Sequence, residues 1–114
     1  MSESYDLSLV LSSLLKFRDD REWEQFHRPK ELATAIGIEA SELQEHFLWR
    51  VHEDPKNIQL DKERYQGIKE ELADIAIYLL YLSHDLDVNL AQAIQQKLKL
   101  NEIKYPKNKY KGKF

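Results

Sequence analysis

An all-α architecture, four helices in an antiparallel bundle, is predicted by three observations. Apolar residues recur at three- and four-residue steps along four long stretches, the period of one helix face. Gly and Pro number only three each among 114 residues, too few to interrupt those stretches often. The segments left between them are short, which suits antiparallel neighbours.

The length suits one domain, with about two-thirds of the unfolded surface buried on folding. We expect it to cover residues 1–106, followed by a basic tail over 107–114. The absence of cysteine excludes disulfides and thiolate metal sites. A net charge of −3 argues against a nucleic-acid binder. The longest apolar run, Ile75 to Leu82, is far short of the ~20 residues that span a bilayer, so no membrane role is expected. The N-terminus lacks the basic-then-apolar order of a signal peptide, which leaves the cytoplasm as the expected location.

Leu7, Val10, Leu11, Leu14 and Leu15, followed by Phe17, trace the first helix over residues 5–21, with Ser4 or Asp6 able to cap it. Arg18 to Arg21 carries mixed charge and reads as a solvated helix end. Residues 23–29, with Trp23, Phe26 and His27, form the first connection; aromatic content there suits a loop folded onto the bundle end. Pro29 fits the first turn of a second helix reaching Arg50, with Leu32, Ala33, Ile36, Ala40, Leu43 and Phe47 inward. Gly37 either weakens it or permits a close helix approach.

Asp54-Pro55 stops that helix. The third runs from Asp61 to Leu86, its stripe formed by Ile68, Leu72, Ile75, Leu79 and Leu82. Asp87 can cap a fourth, Val88 to Ile103, with Leu90, Ala93, Ile94, Leu98 and Ile103 inward. Beyond it lies the lysine-rich tail, which is expected to fray.

The chemistry lies in four acids. At about 100° per residue, Glu71 and Asp74 fall beside the apolar stripe of their helix, not opposite it. Glu39 and Glu42 stand likewise among Ile36, Ala40, Leu43 and Phe47. Residues three apart share a helix face, so two packed helices can converge four carboxylates on one spot. Acids beside a core are costly unless a cation compensates them. Oxygen-only donors suit Mg²⁺ or Mn²⁺, and Mg²⁺ commonly also takes phosphate oxygens. The same spacing is common on solvated helices, where the acids would only form salt bridges in a non-catalytic helical interaction module. A ferritin-like di-iron site would need Glu-x-x-His twice, and only Glu24 with His27 matches.

Residues 17–32, from Phe17 through Arg21, Trp23, Phe26, His27, Pro29 and Lys30 to Leu32, resemble the N-terminal signature of MazG-like nucleotide pyrophosphohydrolases, above all the all-α dCTP pyrophosphatase branch. Glu39-x-x-Glu42 and Glu71-x-x-Asp74 are similar to its metal motif in type, order and gap, as are Phe47-x-Trp49 and Lys97-x-x-x-Asn101-x-x-Lys104-Tyr105-Pro106 to later motifs. The resemblance implies the all-α NTP pyrophosphatase fold and Mg²⁺-dependent hydrolysis of a nucleoside triphosphate to monophosphate and pyrophosphate. It further implies dCTP or modified pyrimidine deoxynucleotides as substrates, and a role in clearing the nucleotide pool. It assigns Glu39, Glu42, Glu71 and Asp74 to the metal, with Glu39 doubling as general base. Trp23, Trp49 and Tyr78 would enclose the base, Asn101 would read its edge, Lys97 and Lys104, with Lys30 behind them, would meet phosphates, and His27 would join the substrate site. It also implies a homodimer or a homotetramer built from dimers, with Trp23 or His27 borrowed from a neighbouring chain. Leu48, Ile77 and Leu80, off the inward faces, would suit such an interface. Glu31 and Ile38 depart from the family pattern, which bears on the choice of nucleotide and not on the four acids.

Overall fold

A computed structural model describes residues 6–113, and within them the regular elements are all helices. They are α1 (Leu7–Asp20), α2 (Pro29–Glu45), α3 (Pro55–Leu60), α4 (Lys62–Asp85), α5 (Leu90–Lys104) and α6 (Lys107–Tyr110). The four expected helices are α1, α2, α4 and α5; α3 and α6 are short additions that periodicity does not reveal. Contacts divide the chain into two compact units, residues 1–82 and 83–114.

In the first unit, Asp6 caps α1 by accepting from the Ser8 N–H at 2.8 Å. Ser4, the other candidate cap, lies outside the described residues. The end of α1 is a Schellman motif. Glu22 takes a left-handed φ of 54°. Its N–H donates to Asp19 O at 3.0 Å, and the N–H of Trp23 to Arg18 O at 3.0 Å. The apolar contact that usually accompanies this motif is present, since the Phe17 and Trp23 rings meet edge-to-face at 5.7 Å. Trp23 is thus placed by the helix before it.

Pro29 stands in the first turn of α2 as expected. The helix stops at Glu45, not Arg50, although neither Gly nor Pro breaks it. The reason is tertiary. The Arg64 Nε–H takes the His46 carbonyl at 2.7 Å, satisfying one of the acceptors that a helix end leaves open. Residues 46–49 form turns, and Trp49 (φ 66°) and His52 (φ 54°) are left-handed, at about 1–2 kcal/mol each for a side chain with a Cβ.

Leu32, Ile68 and Tyr81 are buried, with Arg18 beside them at 3% exposure. Arg18 is therefore no solvated helix end. Its guanidinium sits 4.7 Å over the Tyr81 ring, while the Tyr81 hydroxyl donates to Leu14 O at 2.6 Å, joining α4 to α1. The stripe expected on α4 is rotated toward its acids: Leu72 and Leu79 are exposed, whereas Glu71, Asp74 and Tyr78 are half-buried. Of the apolar residues expected to be spare, Leu48 is exposed, but Ile77 and Leu80 are half-buried. Ala33 and Ala40 on α2, and Phe47 in the turns after it, are exposed where an inward position is expected. Gly37 is not a close-approach point, since an added Cβ would meet nothing within 4 Å. Gly67 is one: a Cβ there would lie 2.7 Å from Cε1 of His46.

The second unit begins with another Schellman motif, which ends α4. Asp87 is its left-handed residue at φ 56°, with Asp87 N–H donating to His84 O at 3.0 Å and Val88 N–H to Ser83 O at 2.8 Å. Asp87 is thereby spent on closing α4. Asn89 caps α5 instead, accepting from the Gln92 N–H at 3.0 Å. Ile94, Leu98 and Ile103 of α5, expected inward, are exposed in this chain. The tail does not simply fray: α6 forms in it, and the Tyr105 and Tyr110 rings meet edge-to-face at 5.3 Å.

Candidate active site

Glu39 and Glu42 stand three residues apart on α2, and Glu71 faces them from α4. One carboxylate oxygen from each lies within 4.8 Å of the other two. Like charges this close cannot all ionise without cost. The Glu39 carboxyl is pushed up to about 7, first by the hydrogen bond it shares with Glu71, then by burial, by Glu42 and by the charge of Asp74. Oε2 of Glu39 and Oε2 of Glu71 are both buried and lack a hydrogen-bond partner. Such orphaned acceptors signal a missing donor or cation. Three oxygen donors with two buried free positions fit a hard divalent ion such as Mg²⁺ or Mn²⁺.

Asp74 is not within that group of three. It lies one turn further along the same face of α4, half-buried, and its charge acts on Glu39 and on the Tyr78 phenol. It also lines a cavity of about 430 Å³ together with Phe17, Trp23, His27, Ile77, Tyr78 and Tyr81. The rings gather around His27. His27 is 6.2 Å from Trp23, 6.4 Å from Tyr78 and 5.1 Å from Tyr81 between centroids. Burial first, then the Glu39 and Asp74 charges, push the Tyr78 phenol up, so its hydroxyl stays a donor at neutral pH. An aromatic cavity with a carboxylate floor can hold a flat polar ring and present what is attached to it to the acids.

Of the residues singled out in the sequence, Glu39, Glu42 and Glu71 are thus gathered directly. Asp74, Trp23, His27 and Tyr78 are gathered at the adjoining cavity. Trp49 is not: it is 96% exposed. Lys30 is exposed in the first turn of α2, nine residues or about 13.5 Å of helix rise from Glu39. In the second unit Lys97 and Asn101 line a shallow apolar groove with Ala93, Ile94 and Leu98. Lys104 there sits 5.3 Å over the Tyr105 ring. Sequence reading missed Phe17 and Tyr81 in the cavity wall. For Tyr81 a signal existed, because Asp74, Tyr78 and Tyr81 follow the i, i+4, i+7 pattern of one face.

The Glu39 shift makes a pH prediction. Its proton is held more tightly folded than unfolded, where an ordinary glutamate titrates near 4.5. The stability this contributes is complete below about pH 4.5 and is lost as pH rises through about 7. Thermal melts of the metal-free protein should fall across that window, and a divalent ion should remove the decline. A flat profile without metal would contradict the crowding of these carboxylates.

A model of the MazG-like family matches residues 34–113. The bovine protein dCTP pyrophosphatase 1 is 37% identical over 97 residues, covering 85% of this chain and 57% of the relative. Its human counterpart is 35% identical over 91 residues, with 80% and 54% covered. The chain therefore spans little more than half the length of these curated relatives. A pyrophosphatase from Archaeoglobus fulgidus, known from its crystal structure, is similar throughout, with a TM-score of 0.78, 36% identity, and 93% of this chain and 97% of that one covered.

Proposed function

This chain belongs to the MazG-like family, and from that premise we propose that it is a Mg²⁺-dependent nucleoside triphosphate pyrophosphohydrolase. The reaction is (d)NTP plus water to (d)NMP plus pyrophosphate, with dCTP or related pyrimidine deoxynucleotides preferred. The observation that carries this reading is the crowded set of Glu39, Glu42 and Glu71 opening beside an aromatic cavity. The relatives named dCTP pyrophosphatase support the choice of substrate.

Glu39, Glu42 and Glu71, joined by Asp74, are the residues that would hold the metal. When bound, the ion supplies positive charge that offsets the triphosphate and lowers the pKa of water. Glu39 takes the proton as the water oxygen bonds to the α-phosphorus and the bond to the bridging oxygen of pyrophosphate breaks. Trp23, His27 and Tyr78 enclose the base, and the Tyr78 hydroxyl donates a hydrogen bond within the cavity. Lys30 contributes charge at longer range.

We further propose that the working form is a homodimer or a dimer of dimers. Leu72 and Leu79 on α4 and Leu48 after α2 are exposed apolar side chains that a symmetric contact would cover. Trp49, 96% exposed in its own chain, then meets the base of a nucleotide held by a second copy. Among the described residues no helix is long and apolar enough to cross a membrane; action in the cytoplasm, where nucleotides are made, is part of the proposal.

Incubation with Mg²⁺ and a panel of nucleoside triphosphates tests the assignment. Pyrophosphate should appear, fastest with a pyrimidine deoxynucleotide, and a chelator should abolish it. Stepwise release of orthophosphate would overturn it. No turnover and no Mg²⁺ binding by calorimetry would leave a non-catalytic helical module.

A further inference from the structure

We infer that Arg64 and Glu53 form a positioning clamp that holds Trp49 for substrate, and so set nucleotide affinity without touching the nucleotide. The inference rests on the reading of Trp49 as a base contact. Trp49 is the most exposed large apolar side chain of the described residues, at 96%, and sits at a left-handed φ of 66°. A tryptophan displayed in that way keeps its place only if its flanks are fixed, because its own side chain packs against almost nothing.

Its flanks are fixed by one guanidinium. Arg64, in the first turn of α4, donates from Nε to the His46 carbonyl at 2.7 Å. Its other two nitrogens donate to the two carboxylate oxygens of Glu53, each at 2.6 Å. The same group lies 5.2 Å over the Phe47 ring. The donors thus reach three residues before Trp49 and four residues after it. The pair is shielded, with side-chain exposures of 9% for Arg64 and 20% for Glu53, so solvent screens it less than an ordinary surface pair. Fork-to-fork pairing of this kind fixes direction as well as distance.

The clamp also has a reference point. Gly67 lies one turn beyond Arg64 and receives the His46 ring where a Cβ would stand 2.7 Å from it. Glu71 follows one turn later on the same helix. The segment that displays Trp49 is therefore referenced to the helix that carries Glu71 and Asp74. Trp49 and the carboxylates keep one geometry, and two copies of the chain can present it reciprocally.

The experiment compares steady-state kinetics with dCTP and Mg²⁺ for wild type, Trp49→Ala, Arg64→Gln, Glu53→Gln and the Trp49→Ala/Arg64→Gln double variant. A stacking contact is made equally in ground and transition states, so its loss raises KM and spares kcat. Trp49→Ala should raise KM about 5- to 150-fold, the range for one base stacked on an aromatic ring. Arg64→Gln and the milder Glu53→Gln should each raise KM by about tenfold at a kcat within about twofold of wild type. The double variant should be no worse than Trp49→Ala alone, because the clamp acts only through Trp49.

In a Trp23→Phe background, Trp49 fluorescence anisotropy should fall when Arg64 is replaced, with no nucleotide present. Unchanged anisotropy overturns the clamp whatever the kinetics. Additive KM effects in the double variant, or a wild-type KM in both clamp variants, overturn its role in affinity. A wild-type KM in Trp49→Ala overturns the reading of Trp49 itself and the inference with it.

Discussion

Glu39→Gln should remove nearly all turnover and yet raise the melting temperature of the metal-free protein. Both halves follow from one geometry. Glu39 has its carboxylate within 4.8 Å of oxygens from Glu42 and Glu71, and it also feels Asp74. Replacing it by an amide of the same shape removes a charge from the crowd. Above about pH 7, where the Glu39 carboxyl is ionised, that relief is largest; well below it the carboxyl is already protonated and the two proteins should melt alike. Turnover should fall on the order of 100-fold or more, since a general base is typically worth 10²- to 10⁴-fold. The amide can neither take the proton nor match a carboxylate as a metal donor. A Glu39→Gln protein that melts lower than wild type above pH 7 would mean that Glu39 is stabilised by a partner instead of crowded by its neighbours. Retained turnover would remove it from the chemistry.

Local signals carried most of the helices. Periodicity finds α1, α2, α4 and α5 because each carries apolar residues at helical spacing, even where those of α5 are exposed, and Pro29 marks its boundary because its fixed φ has only one good place. Sequence reading errs where a tertiary or medium-range hydrogen bond overrides a local preference. The end of α2 depends on Arg64, 18 residues away, taking the His46 carbonyl. Asp87 is a good cap by type, but a Schellman motif places it in a left-handed turn and passes the cap to Asn89.

The site was legible in a different way. Glu39, Glu42 and Glu71 could be selected because acids beside an apolar stripe demand compensation. Their mutual approach on packed helices then follows from spacing alone. The helix faces were misjudged for the same reason. A wheel scored by hydropathy centres α4 on Leu72 and Leu79, yet those are exposed while Glu71, Asp74 and Tyr78 turn inward. Hydropathy cannot anticipate an inward acid. Nor could it reveal Arg18, buried to 3% exposure against Tyr81 inside a run of charges that looks fully solvated.

Asp74→Asn separates the three gathered carboxylates from the fourth. Asp74 stands one turn beyond Glu71 and belongs both to the charge around Glu39 and to the wall of the aromatic cavity. Asn preserves its shape and polarity, so the cavity should survive and the metal-free mutant should melt at the wild-type temperature or higher. Saturating Mg²⁺ should stabilise wild type by binding the native state alone, by about 2.7 kcal/mol at a hundredfold excess over Kd. The mutant should lose most of that gain, and its turnover should fall on the order of 10- to 100-fold or more, as when the environment of a catalytic metal is disturbed. Were Asp74 an ordinary surface acid, the substitution would cost about 0–1 kcal/mol and leave the Mg²⁺ response alone. Melts of both proteins in EDTA and in Mg²⁺ distinguish the two cases. A mutant that melts lower in EDTA and still gains as much from Mg²⁺ as wild type would leave Glu39, Glu42 and Glu71 to hold the ion without it.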